Sequence, residues 1–237
     1  MVGGDAPVER LPQWHSLSGA INTSSMPMES NLYTIVPRTS GSMVSSSTTS
    51  GISDQITRGP AGRATAEPLS VDLLSALQAH LNLERKAHVA YFAAAIWCAE
   101  RELKGFSKFF NAESKDEHEH AAHFGDYLIS RGQTVKLDVL DAPSQDWDSP
   151  EDLMGSSFIM ECDVTTSLQQ IYALAERSGD TRTTVFLDPL IDQQTQSEHL
   201  FAHLLGRVRF ANQQPAALLI IDQELNQGEN QPASLKG

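Results

Sequence analysis

Four stretches of the chain repeat inward-type residues at alternating steps of three and four, and that spacing is compatible with one backbone. In an α-helix such positions stack on a single face, whereas in a strand they would scatter over both faces. The first stripe reads Leu74, Leu77, Leu81, Glu84, His88, Tyr91 and Ala95, and the second Phe106, Phe110, Glu113, Glu117, His120, Phe124 and Tyr127. A third runs Met154, Phe158, Glu161, Thr165, Leu168, Tyr172 and Ala175, and a fourth Leu187, Leu190, Gln194, Ser197, Phe201, Leu204 and Val208. Each segment spans about 25 to 33 residues, or roughly 40 to 50 Å at 1.5 Å per residue. Amphipathic helices of this length bury their apolar faces against one another. The expected fold is therefore an all-α four-helix bundle.

Loop lengths set the topology. The first two helices join tightly near Lys104 and Gly105, and the last two near Ser178 to Asp180, so each pair is an antiparallel hairpin. Between the pairs lies GQTVKLDVLDAPSQDWDSP, from Gly132 to Pro150. Its roughly 17 to 19 residues reach about 55 to 60 Å at ~3.3 Å each, enough to cross the length of the bundle. Such a crossover makes the second and third helices parallel. After them comes PAALLIIDQEL, with Pro215 placed for a first helical turn. At about 11 residues it is too short to be stable alone. Being apolar, it is expected to pack on the bundle end or on other copies of the chain.

The domain reading follows from composition. Residues 1–66 hold Ser/Thr clusters and no lysine, which predicts a flexible extension. This stretch is open to three readings: a tail, a Ser-rich organelle transit segment, or an upstream addition to a chain that starts at Met43. The location is accordingly cytoplasmic, or plastid if the segment is a transit signal. Residues 67–228 form the helical domain, and 229–237 a flexible C-terminal tail. The net charge of −13 argues against nucleic acid, whose phosphates need Lys and Arg. No apolar run approaches the ~20 residues that span a bilayer, so no membrane role is expected. The two cysteines, Cys98 and Cys162, fall in apolar helical patterns and read as small buried thiols without a disulfide scaffold.

Acids interrupt these apolar stripes. An unpaired buried carboxylate costs several kcal/mol, yet Glu84, Glu113, Glu117 and Glu161 occupy inward positions with His120. The pattern also repeats. The interval from Glu84 to Glu117 equals that from Glu161 to Gln194, 33 residues each (84 to 117, 161 to 194). In each half, one helix supplies a single Glu and its partner a pair at i and i+3: Glu117 with His120, then Gln194 with Ser197. Carboxylate-bridged metal bundles are built this way, with one Glu from each of two helices and Glu-x-x-His from the other two. Here the second Glu-x-x-His is replaced by Gln-Thr-Gln-Ser. Within DEHEHAAHF, the same phase turns Asp116, His118 and Glu119 away and leaves His123 at the edge. His88, His118 and His123 are expected to support the centre or lie on the surface, and Trp97, Trp147 and Phe109 to pack.

With these residues in place, the sequence resembles a non-haem ferritin over roughly Leu69 to Asn226. The resemblance rests on Glu84 with Tyr91 seven residues on, Glu117-x-x-His120 followed by DYL, Glu161, Gln194 and the short last helix. IWCAERELKGF and ALAERSGDTRTTVFLDPLI look most like cyanobacterial and algal members. The resemblance implies that Glu84 and His120 bind one iron, Glu117 bridges, and Glu161 holds a second. It implies that Gln194 hydrogen-bonds water or oxygen there, that Tyr91 orients ligands, and that Glu113 is an accessory carboxylate. Fe(II) and O₂ would be the reactants, iron the metal, and the assembly a hollow shell of roughly 24 copies. His118 stands where haem-binding relatives carry methionine, so no haem is expected. Ser197 and Gln193 replace carboxylates used elsewhere for a third iron. The acidic pair lining animal-type channels falls on Thr184 and Leu187; Asp116 or Asp188 would then guide iron. Three competing functions make different demands: an inactive shell subunit would lose the ligands, a di-iron oxidase or peroxidase acting on a small substrate would keep both Glu-x-x-His motifs, and a DNA-protecting relative would lack the last helix.

Overall fold

The computed structural model describes residues 52–229, 231 and 232. Most of the Ser/Thr-rich extension and most of the C-terminal tail therefore lie outside the described residues. Five α-helices dominate: α1 Val71–Glu100, α2 Lys104–Ser130, α3 Pro150–Ser178, α4 Thr181–Ala211 and α5 Pro215–Gln227. The four long helices measure 30, 27, 29 and 31 residues, inside the expected range. No strand occurs among the described residues, only an isolated antiparallel bridge between Arg58 and Ala64.

Local chemistry explains where the helices begin and end. Ser70 caps α1 by accepting from the Leu73 amide (3.3 Å), and Ser149 caps α3 by accepting from Asp152 (3.1 Å), with Pro150 in its first turn. Gly179, at φ 68°, ends α3 in the left-handed conformation, and Asp180 immediately caps α4 through the Thr183 amide at 3.0 Å. That two-residue link makes the hairpin. Helix α2 has no side-chain cap of its own. Its first amides are satisfied from α5 instead: Asp222 Oδ1 accepts from Gly105 (2.8 Å) and Phe106 (2.9 Å). So α5 packs on the bundle end, chiefly against α2 and also α4. A side chain at position 105 would meet the Asp222 carbonyl oxygen at 1.7 Å, so only glycine allows this approach.

The crossover is pinned to α1. Gln78 bonds both the amide and the carbonyl of Lys136, Asn82 Oδ1 accepts from the Asp138 amide (3.0 Å), and Arg85 donates to the Asp138 carbonyl (2.9 Å). Three side chains on one helical face thus give an extended segment the hydrogen bonds that a neighbouring strand would supply. At the end of α2, Arg131 forms a two-pronged pair with Asp180, at 2.6 and 2.9 Å, and both are buried. Just before α1, residues 57–65 double back and seat Gly59 against the Gly132 carbonyl.

The apolar core is in two parts. One cluster gathers Ala87, Tyr91, Cys98, Phe106, Phe110, Met154, Phe201 and Leu225 toward the α5 end, and the other Leu73, Leu77, Leu81, Phe124, Leu128, Leu168 and Leu187 at the opposite end. On every long helix the gap between the clusters falls at the acidic or amide positions. The stripes need small rotations from the expected phase. Leu73 and Ala87 are fully buried, whereas Leu74 and His88, at the expected inward positions, are only half-buried. Cys98 is buried as expected, but Cys162 is half-buried. Both cysteines are free.

Candidate metal centre

Between the two apolar clusters, α1 delivers Glu84, α2 Glu117 and His120, α3 Glu161, and α4 Gln194. The carboxylates are nearly removed from water: Glu84 is 3% exposed, Glu117 5% and Glu161 1%. One ligand-type atom from each of Glu84, Glu117 and His120 lies within 4.8 Å of the others, and among the described residues this is the group able to hold an ion. Glu161 stands outside this triad and is fixed by hydrogen bonds of its own. Tyr91 donates its hydroxyl to Glu161 Oε1, and Gln194 Nε2 donates to Oε2 at 2.8 Å. Gln194 thus holds a carboxylate, where the resemblance implied a bond to water or oxygen.

The electrostatics are those of several buried carboxyls crowded around a single imidazole. Burial raises Glu84; Glu117 is pushed up to about 8, mainly by burial and then by Glu84, against an opposing bond from His120. Glu161 rises to about 7 through burial and the nearby Glu117, and Glu113 to about 8 through burial and Glu161. His120, hydrogen-bonded to Glu117 at 3.0 Å, is raised to about 9. Tyr91 is raised well above its ordinary range by burial and then by Glu161. Like charges in a dry interior hold their protons until a cation displaces them. Glu84 Oε2 is buried and receives no N–H or hydroxyl hydrogen bond, the carboxyl of Glu84 meeting that of Glu117 instead. Two carboxylate oxygens and an imidazole nitrogen so grouped fit a first-row divalent ion.

A groove of about 940 Å³ between α2 and α4 leads from the surface to Glu117 and His120. Glu113, Asp116, Glu119, His123 and His199 line it, so the face of α2 expected to point elsewhere still borders the approach to the centre. Asp188 instead accepts from the Tyr172 hydroxyl at 3.2 Å. His88 is taken up by Ser114, 2.6 Å from its carbonyl, and His118 lies against the His88 ring. His123 stacks on Phe186, and Trp97 meets Trp147 edge to face.

Sequence reasoning missed His80. Fully buried one turn before Glu84, it places Nε2 2.8 Å from Glu84 Oε1 and Nδ1 2.8 Å from the Ser167 hydroxyl. Burial lowers it to about 3, so the ring is neutral. The i to i+4 relation with Glu84 was the available signal. Ser167, on another helix, gave none.

The Ferritin-like domain family matches residues 74–211. A bacterial non-heme ferritin of Staphylococcus epidermidis is 33% identical over 133 residues, covering 56% of this chain and 80% of the relative. One from Staphylococcus aureus is 29% identical over 157 residues, 66% of this chain and 95% of the relative. Among solved structures, the open-pore ferritin of the archaeon Archaeoglobus fulgidus is similar, with a TM-score of 0.65 at 27% identity over 66% of this chain and 96% of that one. An engineered closed form of the same archaeal protein gives 0.64 at 28% identity.

Proposed function

Because the chain belongs to the ferritin family, we propose that it stores iron, oxidising Fe(II) with O₂ at a two-iron centre inside each subunit and depositing the ferric product within an oligomeric shell. The observation that carries this reading is the Glu84 oxygen without an N–H or hydroxyl donor, within a triad of ligand-type groups. Three buried carboxylates and one imidazole are a poor core, but a good match for two dications. Iron is the substrate here. Glu84 and His120 take one ion, Glu117 bridges, and Glu161, held on both oxygens, takes the second.

The protein's contribution is placement and charge. Tyr91 and Gln194 fix Glu161 so that it meets an ion without rearranging. The acidic groove draws cations toward Glu117, and Glu113 hands them on. Each Fe(II) gives up one electron. A pair supplies two to one O₂, which with two protons leaves as hydrogen peroxide, and the Fe(III) products hydrolyse to mineral. Protons displaced from the raised carboxyls as iron binds are available locally for that reduction.

The test is stopped-flow absorbance after aerobic Fe(II) addition. The parent gives a fast phase that saturates near two irons per subunit, and Glu117→Ala loses it. Equal fast phases in the two proteins would reject the assignment. Size-exclusion chromatography checks the shell independently, and a monomer or dimer would reject it.

A further inference from the structure

We propose that His80, held by Ser167, is a positioning residue for Glu84 and sets the affinity of the first metal ion; this rests on the reading of Glu84 as a ligand. A packing role does not call for an imidazole. The ring is fully buried and lies on Phe124 at 4.4 Å between centroids, a niche that leucine or phenylalanine would fill without desolvating two ring nitrogens. Both nitrogens instead face polar atoms: Nδ1 the Ser167 hydroxyl and Nε2 the Glu84 carboxylate, each at 2.8 Å.

The protons can be assigned from this arrangement. A ligating carboxylate is ionised and only accepts. A bare ring nitrogen facing it would repel it, so the hydrogen of the neutral ring belongs on Nε2. Nδ1 is then the lone pair, and Ser167 donates to it. The ionised carboxylate thereby selects the tautomer, the hydroxyl on α3 fixes the ring by donating to Nδ1, and the histidine presents N–H to the ligand. Nε2 lies 2.8 Å from Glu84 Oε1 but out of line for a hydrogen bond, while Glu84 Oε2 receives no N–H or hydroxyl donor. One donor and one acceptor are thus left short in the same contact. An ion taken by Oε2 removes one deficit and leaves Oε1 to His80. Glu84 would then have one oxygen held by a protein donor, whereas Glu161 has both, from Tyr91 and Gln194.

The experiment is titration with Co(II) alone, followed by its visible absorption bands and by calorimetry, on the full-length parent and on His80→Leu, His80→Gln, Ser167→Ala and Glu117→Ala. His80→Leu is expected to weaken the first Co(II) about 10- to 100-fold and to shift its bands. His80→Gln, which keeps an N–H, returns affinity to within about threefold of the parent. Ser167→Ala removes the hydrogen bond that orients the ring, and weakens binding by a few fold; it carries the test if His80→Leu fails to fold. Parent-like Co(II) affinity and spectrum in both His80→Leu and Ser167→Ala, whatever their melting temperatures, would overturn the proposal. Glu117→Ala separates the premises: if it still binds Co(II) like the parent, the site reading itself fails, and if it loses binding while His80→Leu does not, only the role of His80 fails.

Discussion

Replacing Glu117 by glutamine should make the iron-free protein more stable, and increasingly so as pH rises. Glu117 is 5% exposed and its carboxyl is pushed from 4.5 up to about 8, a value that already includes the opposing bond from His120. Glutamine resembles the protonated acid in shape and charge, so the substitution removes the cost of ionising this position. A carboxyl with a raised folded-state pKa holds its proton longer in the native state than in the unfolded chain. The parent therefore loses stability as pH climbs between the two values, by about 1.4 kcal/mol per unit. The gain from Glu117→Gln is then about 1 kcal/mol near pH 5.5 and about 4 kcal/mol near pH 8.5. For a subunit of this size, the upper figure is on the order of 10 °C in melting temperature. The assay is scanning calorimetry of chelator-stripped parent and variant at both pH values. Adding Co(II) should reverse the order near pH 5.5 and narrow the gap near pH 8.5, because the parent alone binds it and is stabilised by about 3 kcal/mol at a hundredfold excess over Kd. Coincident melts near pH 8.5, or a gap that narrows with rising pH, would refute the picture of a buried carboxyl that is costly to ionise.

Two further outcomes follow from the scaffold. Asp180→Ala leaves Arg131 buried without its partner and strips the α4 cap, so unfolding free energy should fall by about 3 to 5 kcal/mol in chemical denaturation. Asp180 is held below the usual carboxylate range by its bonds to Arg131 and Thr183. Its contribution should therefore be complete above the unfolded-chain value and vanish as pH falls through the lowered one. Gly105→Ala places a methyl group against the Asp222 carbonyl, at 1.7 Å before any relaxation. It should displace α5, cost about 1 to 3 kcal/mol, and speed proteolysis within Pro215–Gln227.

Much of the centre was legible because helical spacing is local. Glu117 and His120 are three residues apart on one helix, so any α-helix brings them to one face, and burying that face demanded a compensating charge. The 33-residue repeat extended this to Glu84 and Glu161 (84 to 117, 161 to 194). The exact phase of the stripes is not contained in the spacing. Leu73 and Ala87 are buried deeper than Leu74 and His88 because two neighbouring helices, rather than one, press on α1.

The sequence by itself determined the four helices, their hairpins, the crossover, and the residue types at the polar layer. These follow from period, cap and loop length, which act within a few residues of one another. Tertiary structure decided which oxygen meets which hydrogen: Gln194 on Glu161, Ser167 on His80, and Asp222 on the amides of Gly105 and Phe106. Those contacts join residues from 33 to 117 positions apart. They depend on the rotation and separation of packed helices, which no local pattern encodes.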